Sequence, residues 1–240
     1  AAMAQSEDSV FVWDLDKTYL DTHFESISGL YRTIKEKAFQ KKNVPGTRSL
    51  VRALTVRGES HFPIYFVTAS PPQMEERIHE KLQLDGIKPY GMFFKDNLKN
   101  LRPGRLRRLN QQVGFKLQAL LRLRNQLGKN VQQILWGDDS ESDAIIYSLY
   151  SDICTKKIPE KSLRHILSYY HVRGEQLEVI LDLQSKIPEA DPVNRIYINL
   201  ATDTDPDYYS KFGRRMLATY NSFQVALDLF QEGKLHANQL

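Results

Sequence analysis

The order of hydrophobic and polar residues along the chain predicts an alternation of strands and helices. Short apolar runs at Val10–Trp13, Pro63–Val67 and Val131–Trp136 are typical of buried strands. Alternation over Ile196–Leu200 predicts a later strand, and a short strand is expected at Ile153–Thr155. Apolar residues at helical spacing predict helices around Met74–Leu82, Leu117–Leu127, Ala144–Leu149, Leu163–Tyr170, Leu177–Leu181 and Phe223–Phe230. The pattern indicates an α/β fold, a parallel sheet with helices on both faces.

Small polar or acidic residues follow three of the predicted strands. Asp14 and Asp16 follow the first strand, Thr68 and Ser70 follow the second, and Asp138 follows the third. In open sheets of parallel strands, ligands bind beyond the carboxyl ends of the strands. We therefore expect these side chains to converge on one site.

The composition is that of a globular protein. The 240 residues are 41% hydrophobic and 26% charged, and we expect a single domain over residues 8–240. No apolar run approaches the ~18 residues that a membrane-spanning helix needs. The one cysteine, Cys154, cannot form an internal disulfide, and residues 1–9 lack the pattern of a signal peptide. These features predict a cytoplasmic protein, with any membrane contact being peripheral.

Positive charge is concentrated in one part of the chain. The net charge is +4, yet residues 95–129 hold ten Lys or Arg and one acidic residue. Leucines alternate with the basic residues over 95–109, which suits peripheral contact with an anionic membrane. An ordinary amphipathic insertion explains the pattern equally well. Attraction of anionic phosphate esters to a nearby pocket is a third use of the same charges. Small cap-type insertions are expected at about 21–42 and 95–114.

The strand-end acids suggest a chemistry. Asp14 and Asp16, spaced by two and followed by Thr18, provide one carboxylate as nucleophile and a second as general acid and base. A polar turn is the alternative for this string. By contrast, Asp203, Asp205 and other acids nearby lack the spacing of a calcium loop and predict a solvated turn.

Residues 10–18 resemble the first motif of the haloacid dehalogenase superfamily of phosphatases and phosphotransferases. Further motifs of that superfamily are matched in order by Thr68, by Lys116, and by Asp138 with Asp143. The resemblance implies a haloacid-dehalogenase-like, Rossmann-like sheet. It also implies Mg²⁺ as cofactor. The metal ligands implied by the resemblance are Asp14, the Asp16 carbonyl, Asp138 and Asp143. The catalytic residues it implies are Asp14, Asp16, Thr68 and Lys116.

A narrower resemblance rests on three strings. Val67–Pro71, Phe93–Asp96 and Gly137–Asp143 are similar to the catalytic domain of the actin-patch-associated phosphatidate phosphatases, over about residues 8–155. The chain departs from that family at two positions. Lys17 lies where the family often has an acidic residue, and Thr68 lies where the family has Ser. These departures leave the identity of the substrate undetermined.

Two positions have competing interpretations. Ser70 could supply the phosphate-contacting hydroxyl, but Ser70 followed by two prolines and Gln73 favours a helix cap, which leaves that role to Thr68. Lys129 is the alternative to Lys116, but its place after Gly128 favours a contact with a helix end.

Together these features predict a Mg²⁺-dependent phosphomonoester hydrolase that forms an aspartyl-phosphate. A phosphate ester is the expected partner, with phosphatidate or a related phospholipid favoured and a soluble sugar or inositol phosphate as the alternative. The rival hypothesis is a basic module that binds membrane or nucleic acid and retains an inactive site. The complete set of acids argues against that rival, and nucleic acid is not expected as a partner.

Overall fold

The computed structural model describes residues 9–22, 37–55, 62–70, 72–95, 105–139, 142–201, 203–213 and 215–239, with the backbone alone over 105–111. Within these ranges the chain forms six strands. They are β1 (Ser9–Asp14), β2 (Ile64–Thr68), β3 (Gly91–Phe94), β4 (Gln132–Asp138), β5 (Val193–Asn199) and β6 (Met216–Thr219).

The α-helices of the described part of the chain are α1 (Thr47–Thr55), α2 (Glu75–Leu84), α3 (Arg105–Gln126), α4 (Asp143–Cys154), α5 (Glu160–Tyr169), α6 (Glu175–Lys186) and α7 (Ser222–Gln231). Short 3-10 helices lie at Ala38–Gln40, Pro72–Met74, Pro206–Phe212 and Ala237–Gln239.

The six strands form one sheet in the order β3-β2-β1-β4-β5-β6, and every neighbouring pair is parallel. This is a Rossmann-like order, in which the chain builds outward from β1 to one edge and then from β4 to the other. The order reverses between β1 and β4, and in sheets of this kind ligands bind beyond the carboxyl ends of the strands at such a reversal. The predicted α/β class is confirmed.

The sheet separates two hydrophobic cores because successive residues of a strand point to opposite faces. In β1, Val10 and Val12 pack into the core under α3, α4, α5 and α6, whereas Phe11 and Trp13 pack into the core under α1, α2 and α7. Trp13 pairs in register with Trp136 of β4, and their ring centroids lie 4.1 Å apart. Aromatic packing on one face therefore holds together the two central strands, β1 and β4.

Three sequence predictions differ from the structure. The short strand expected at Ile153–Thr155 is wrong, because this stretch is the end of α4 and its apolar residues continue the buried face of that helix. The insertion expected at 95–114 is shorter, since residues 105–114 are the first turns of α3. The last helix is present as α7, but Phe223, Leu227 and Phe230 are exposed, and the opposite face, around Val225 and Leu229, is buried.

Candidate active site

The predicted site residues meet at the carboxyl ends of the central strands. Asp14 is the last residue of β1, Asp138 is the last of β4, and Thr68 is the last of β2. Asp143 is the first residue of α4, the helix that follows β4. These residues come from distant parts of the chain but share one edge of the sheet, as the pattern of polar strand ends predicts.

Lys116 lies at the centre of this group. It is fully buried in α3, and its Nζ lies 2.9 Å from Asp14 Oδ1 and 2.6 Å from Asp143 Oδ1. A buried ammonium requires such partners because desolvation of an unpaired charge is costly. Lys129, the alternative from the sequence, is exposed after the end of α3. There Arg124, and not Lys129, donates to the loop carbonyls of Gly128, Lys129 and Val131.

Three buried carboxylates form a candidate metal site. Asp14, Asp138 and Asp143 each offer one oxygen, and these oxygens lie within 4.8 Å of one another. Asp143 is further oriented by the Asp138 backbone N–H, which donates to its Oδ2 over 3.2 Å. Carboxylate oxygens at this spacing are ligands that Mg²⁺ and other hard cations prefer.

Gly137 makes room for this arrangement. A Cβ at this position would lie 2.3 Å from Asp143 Oδ2 and 2.5 Å from Asp143 Cβ, which is far inside van der Waals contact. The side chain of Asp143 therefore reaches the strand end only because residue 137 has no side chain. This close approach explains why glycine precedes Asp138 at the end of β4, which the sequence motif alone does not explain.

Charge balance also fits a cation. In the described part of the chain, Asp14, Asp16, Asp138 and Asp143 are four buried carboxylates, and the Lys116 ammonium pairs with two of them, Asp14 and Asp143. Like charges in a buried site repel one another, and a divalent cation offsets that repulsion. The residues present therefore fit a Mg²⁺ ion by the chemistry of their donors, by their spacing and by their charge.

Asp16 is held by hydroxyl groups. Thr68 Oγ1 donates to Asp16 Oδ2 over 2.7 Å, Ser70 Oγ lies 3.1 and 3.2 Å from the two carboxylate oxygens, and Thr22 Oγ1 donates over 3.3 Å. The prediction that Ser70 caps a helix is wrong. Its hydroxyl contacts Asp16 instead, and the 3-10 helix described there begins at Pro72. A contact between residues 54 positions apart leaves no signal in the local sequence.

A tight turn carries the chain away from Asp16. Lys17 has a positive φ of 59°, which is uncommon for a residue with a side chain, and its N–H donates to the Leu20 carbonyl over 2.7 Å. The next residue, Thr18, places its hydroxyl 3.4 Å from Asp14 Oδ2. The turn thus directs both a hydroxyl and the second aspartate back toward the end of β1.

Sequence reasoning missed two residues beside the site. Asp139 follows Asp138 directly but contacts the segment after β5, where the Ala201 N–H and the Thr204 hydroxyl donate to its Oδ2. Tyr209 is buried nearby. Burial, and then the negative charge of Asp139, raise the pKa of its phenol to about 12. The Asp138-Asp139 pair was visible in the sequence, but its partners, more than 60 residues later, were not. Asp203 and Asp205 are exposed, as expected of a solvated turn.

Some predictions fall on other parts of the chain. Residues 23–36 and 96–104 lie outside the described residues, as do the side chains of 105–111. Most of the insertion expected at 21–42, and the membrane-contacting segment expected at 95–109, are therefore not described apart from their ends. None of the described helices combines the length and the apolar composition that crossing a bilayer requires.

Comparison with known proteins identifies the family. The family model described as phosphatidate phosphatase APP1, catalytic domain, matches residues 9–165, which is more than half of the chain and includes Asp14, Lys116 and Asp143. Neither a curated protein nor a solved structure matches the chain. The narrower of the two resemblances drawn from the sequence is thereby confirmed, and the chain belongs to the phosphatidate phosphatase APP1 catalytic-domain family.

Proposed function

We propose that this chain hydrolyses phosphate monoesters through an aspartyl-phosphate on Asp14, in the manner of haloacid-dehalogenase-type enzymes. The observation that carries the proposal is the buried group of Asp14, Lys116, Asp138 and Asp143, with Asp16 two residues beyond Asp14. Membership of a phosphatase family supports the same reaction class. A purely structural group of charges has no need for an excess of carboxylates.

In the first step, an oxygen of Asp14 attacks phosphorus and the bond from phosphorus to the ester oxygen breaks. Lys116 Nζ, 2.9 Å from Asp14 Oδ1, keeps the attacking carboxylate in place and offsets charge on the transferring phosphoryl group. The protonated carboxyl of Asp16 gives its proton to the leaving alkoxide, which departs as an alcohol.

In the second step, the carboxylate of Asp16 takes a proton from water. The resulting hydroxide attacks phosphorus, the bond from phosphorus to Asp14 breaks, and inorganic phosphate leaves. The hydroxyls of Thr68, Ser70 and Thr22 orient Asp16 for both proton transfers, since they already donate to its carboxylate. Thr68 is the candidate to exchange this contact for one with the substrate phosphate.

The metal site completes the proposal. Asp14, Asp138 and Asp143 would hold Mg²⁺ through their side chains, with the Asp16 carbonyl as a further ligand. When bound, Mg²⁺ neutralises phosphate oxygens so that the anionic nucleophile can approach a dianionic ester. Lys116 and the chain's own carboxylates then set the direction of attack.

The proposed substrate is phosphatidate or a related phospholipid monoester. The support for a lipid substrate is the family's description, together with the leucine-interleaved basic segment at 95–109, which we propose as a peripheral contact with an anionic membrane. Such an enzyme would act from the cytoplasmic side. Soluble sugar and inositol phosphates are the alternative that a substrate panel tests.

The test compares Asp14→Asn with Asp152→Asn, a matched change at a partly exposed position near the end of α4. Phosphate release is measured with Mg²⁺ on phosphatidate in detergent micelles and on soluble esters. We expect Asp14→Asn to lose at least about four orders of magnitude of turnover, as nucleophile variants do, and Asp152→Asn to match wild type. Wild-type phosphate release by Asp14→Asn would overturn the nucleophile assignment.

Two further variants test the other roles. Asp16→Asn should lose most turnover on unactivated esters but still transfer labelled phosphate to protein from an activated ester, whose leaving group needs no proton. Lys116→Gln should lose activity, whereas Lys129→Gln should not. Turnover of soluble esters without turnover of phosphatidate would favour the soluble-substrate alternative.

A further inference from the structure

Two neighbouring aspartates at the end of β4 have different surroundings. Asp138 joins Asp14 and Asp143 in the candidate metal site. Asp139 does not belong to that group. Its Oδ2 accepts a hydrogen bond of 2.8 Å from the Ala201 N–H and another from the Thr204 hydroxyl.

The segment that Asp139 contacts is itself fixed on both sides. The Thr204 N–H donates to the Ala201 carbonyl over 3.1 Å, and the Tyr220 hydroxyl donates to the Thr204 carbonyl over 3.0 Å. The Asp139 N–H donates to the Asn199 carbonyl at the end of β5 over 3.1 Å. Both the main chain and the side chain of Asp139 are therefore held against the carboxyl end of β5.

Holding Asp139 in this way restricts Asp138. Asp138 ends β4 in register with Asn199, so fixing the next residue, Asp139, against β5 limits the directions that the Asp138 side chain can take at the metal site. Groups that hydrogen-bond around metal ligands commonly set metal affinity, because they reduce the number of positions each ligand can adopt. Burial, and then the charges of Asp139 and other nearby groups, raise the pKa of Tyr209, which agrees with the 3-10 helix Pro206–Phe212 lying at the same corner.

We propose that Asp139 and Thr204 are positioning residues, which hold the Asp138 carboxylate for binding of the divalent cation. This inference rests on the proposed function, and it extends the site beyond the part of the chain that matches the family. Thr204 lies after residue 165, where the family match ends. The C-terminal part of the chain thus contributes to the metal site without supplying a ligand.

The experiment measures Mg²⁺ binding by calorimetry in the absence of substrate. Thr204→Val removes the hydroxyl with little change of shape, and Thr204→Ser restores a donor. Thr155→Val is the matched control, because the Thr155 hydroxyl donates to Ser151 at the far end of α4, roughly 18 Å along the helix from Asp143. Circular dichroism establishes that each variant is folded.

We expect Thr204→Val to raise the Mg²⁺ dissociation constant on the order of tenfold, with Thr204→Ser and Thr155→Val close to wild type. At saturating Mg²⁺, the KM for a phosphate ester should be unchanged. Wild-type Mg²⁺ affinity in Thr204→Val, or equal weakening in Thr204→Ser, would overturn the positioning role while leaving the phosphatase proposal intact. Failure of the wild type itself to bind Mg²⁺ would overturn both.

Discussion

Two of the groups of buried charged side chains in the described part of the chain are built on opposite principles. In the candidate active site, several carboxylates share one lysine, Lys116. In the second group, the single carboxylate of Asp85 is surrounded by donors. Lys81 Nζ lies 2.6 and 2.7 Å from its two oxygens, the Tyr19 hydroxyl donates over 2.7 Å, and Asn43 Nδ2 donates over 3.1 Å.

The difference shows which group requires a ligand. The charges of Asp85 and Lys81 cancel each other, and Arg48 Nε also lies 3.6 Å from Asp85 Oδ1. The charge of Asp85 is therefore balanced by groups of the protein itself. Burial would raise the pKa of Asp85, but the hydrogen bond from Lys81 and other contacts outweigh burial and lower it. In the site at the strand ends, the described carboxylates outnumber the lysine they share, and the proposed divalent cation would offset their mutual repulsion.

The two groups are also connected through one short stretch of chain. Tyr19, which donates to Asp85, lies three residues after Asp16, and the Tyr19 carbonyl accepts from the Val44 N–H over 3.0 Å. The Asp85 group therefore fixes the far side of the turn that carries Asp16. A balanced set of charges stabilises the fold, and the unbalanced set beside it is available for chemistry.

The largest contrast should appear when one aspartate is removed from each group. Asp85→Ala leaves Lys81 buried without its partner and should lower the free energy of unfolding by about 3–5 kcal/mol. Asp14→Asn removes one of several like charges and should leave that free energy unchanged or raise it. Urea unfolding in the presence of chelator measures both. A similar loss of stability in the two variants would mean that the acids of the site are structural.

This contrast also marks what the sequence could and could not predict. Asp14, Thr68 and Asp138 were identifiable because each follows a buried strand, and parallel strands bring their carboxyl ends together. Asp85 follows the helix predicted around Met74–Leu82, and no pattern in the sequence indicates a buried charge there. Its role depends on Tyr19, 66 residues earlier, and a hydrogen bond between distant residues has no periodic signature.

Local sequence patterns could not decide between two different structures where the same spacing of residues is compatible with both. Residues of α7 are apolar on two sides of the helix, so the periodicity identified the helix but not whether Phe223 or Val225 is buried. The edge strands β3 and β6 have four residues each, which is too short for a clear alternation. The residues around Ser70 favoured a helix cap, because its contact with Asp16 has no local signal in the sequence.

A second prediction tests whether Mg²⁺ stabilises the protein through the candidate metal site. Mg²⁺ at about 100 times its dissociation constant should stabilise the wild type by about 2.7 kcal/mol, since the proposed site exists in the folded protein and not in the unfolded chain. Asp138→Asn should lose most of this gain, and Asp152→Asn should keep it. Thermal unfolding with Mg²⁺ and with chelator measures the difference. The absence of any Mg²⁺ effect on the wild type would count against the metal site.

The smallest expected effect is on the stability of the fold at acidic pH. The pKa of Asp85 is lowered in the folded protein from an ordinary value of 3.8, so its ionised form is bound more favourably in the folded state. The stability that it contributes is therefore fully present above the unfolded pKa and is lost as the pH falls through the folded pKa. The gap in stability between wild type and Asp85→Ala should be constant from about pH 7 to about pH 5 and should narrow below pH 4.

Urea unfolding at several pH values measures this gap, and a surface carboxylate provides the control. Glu178 also has a lowered pKa, because of its hydrogen bond with Arg164, but both side chains are exposed and solvent screens their interaction. Glu178→Gln should therefore give a much smaller gap at every pH. A gap for Asp85→Ala that stays constant down to the acid transition would show that Asp85 acts by packing. In that case the stabilising role assigned to its charge, and with it the contrast between the two buried groups, would be wrong.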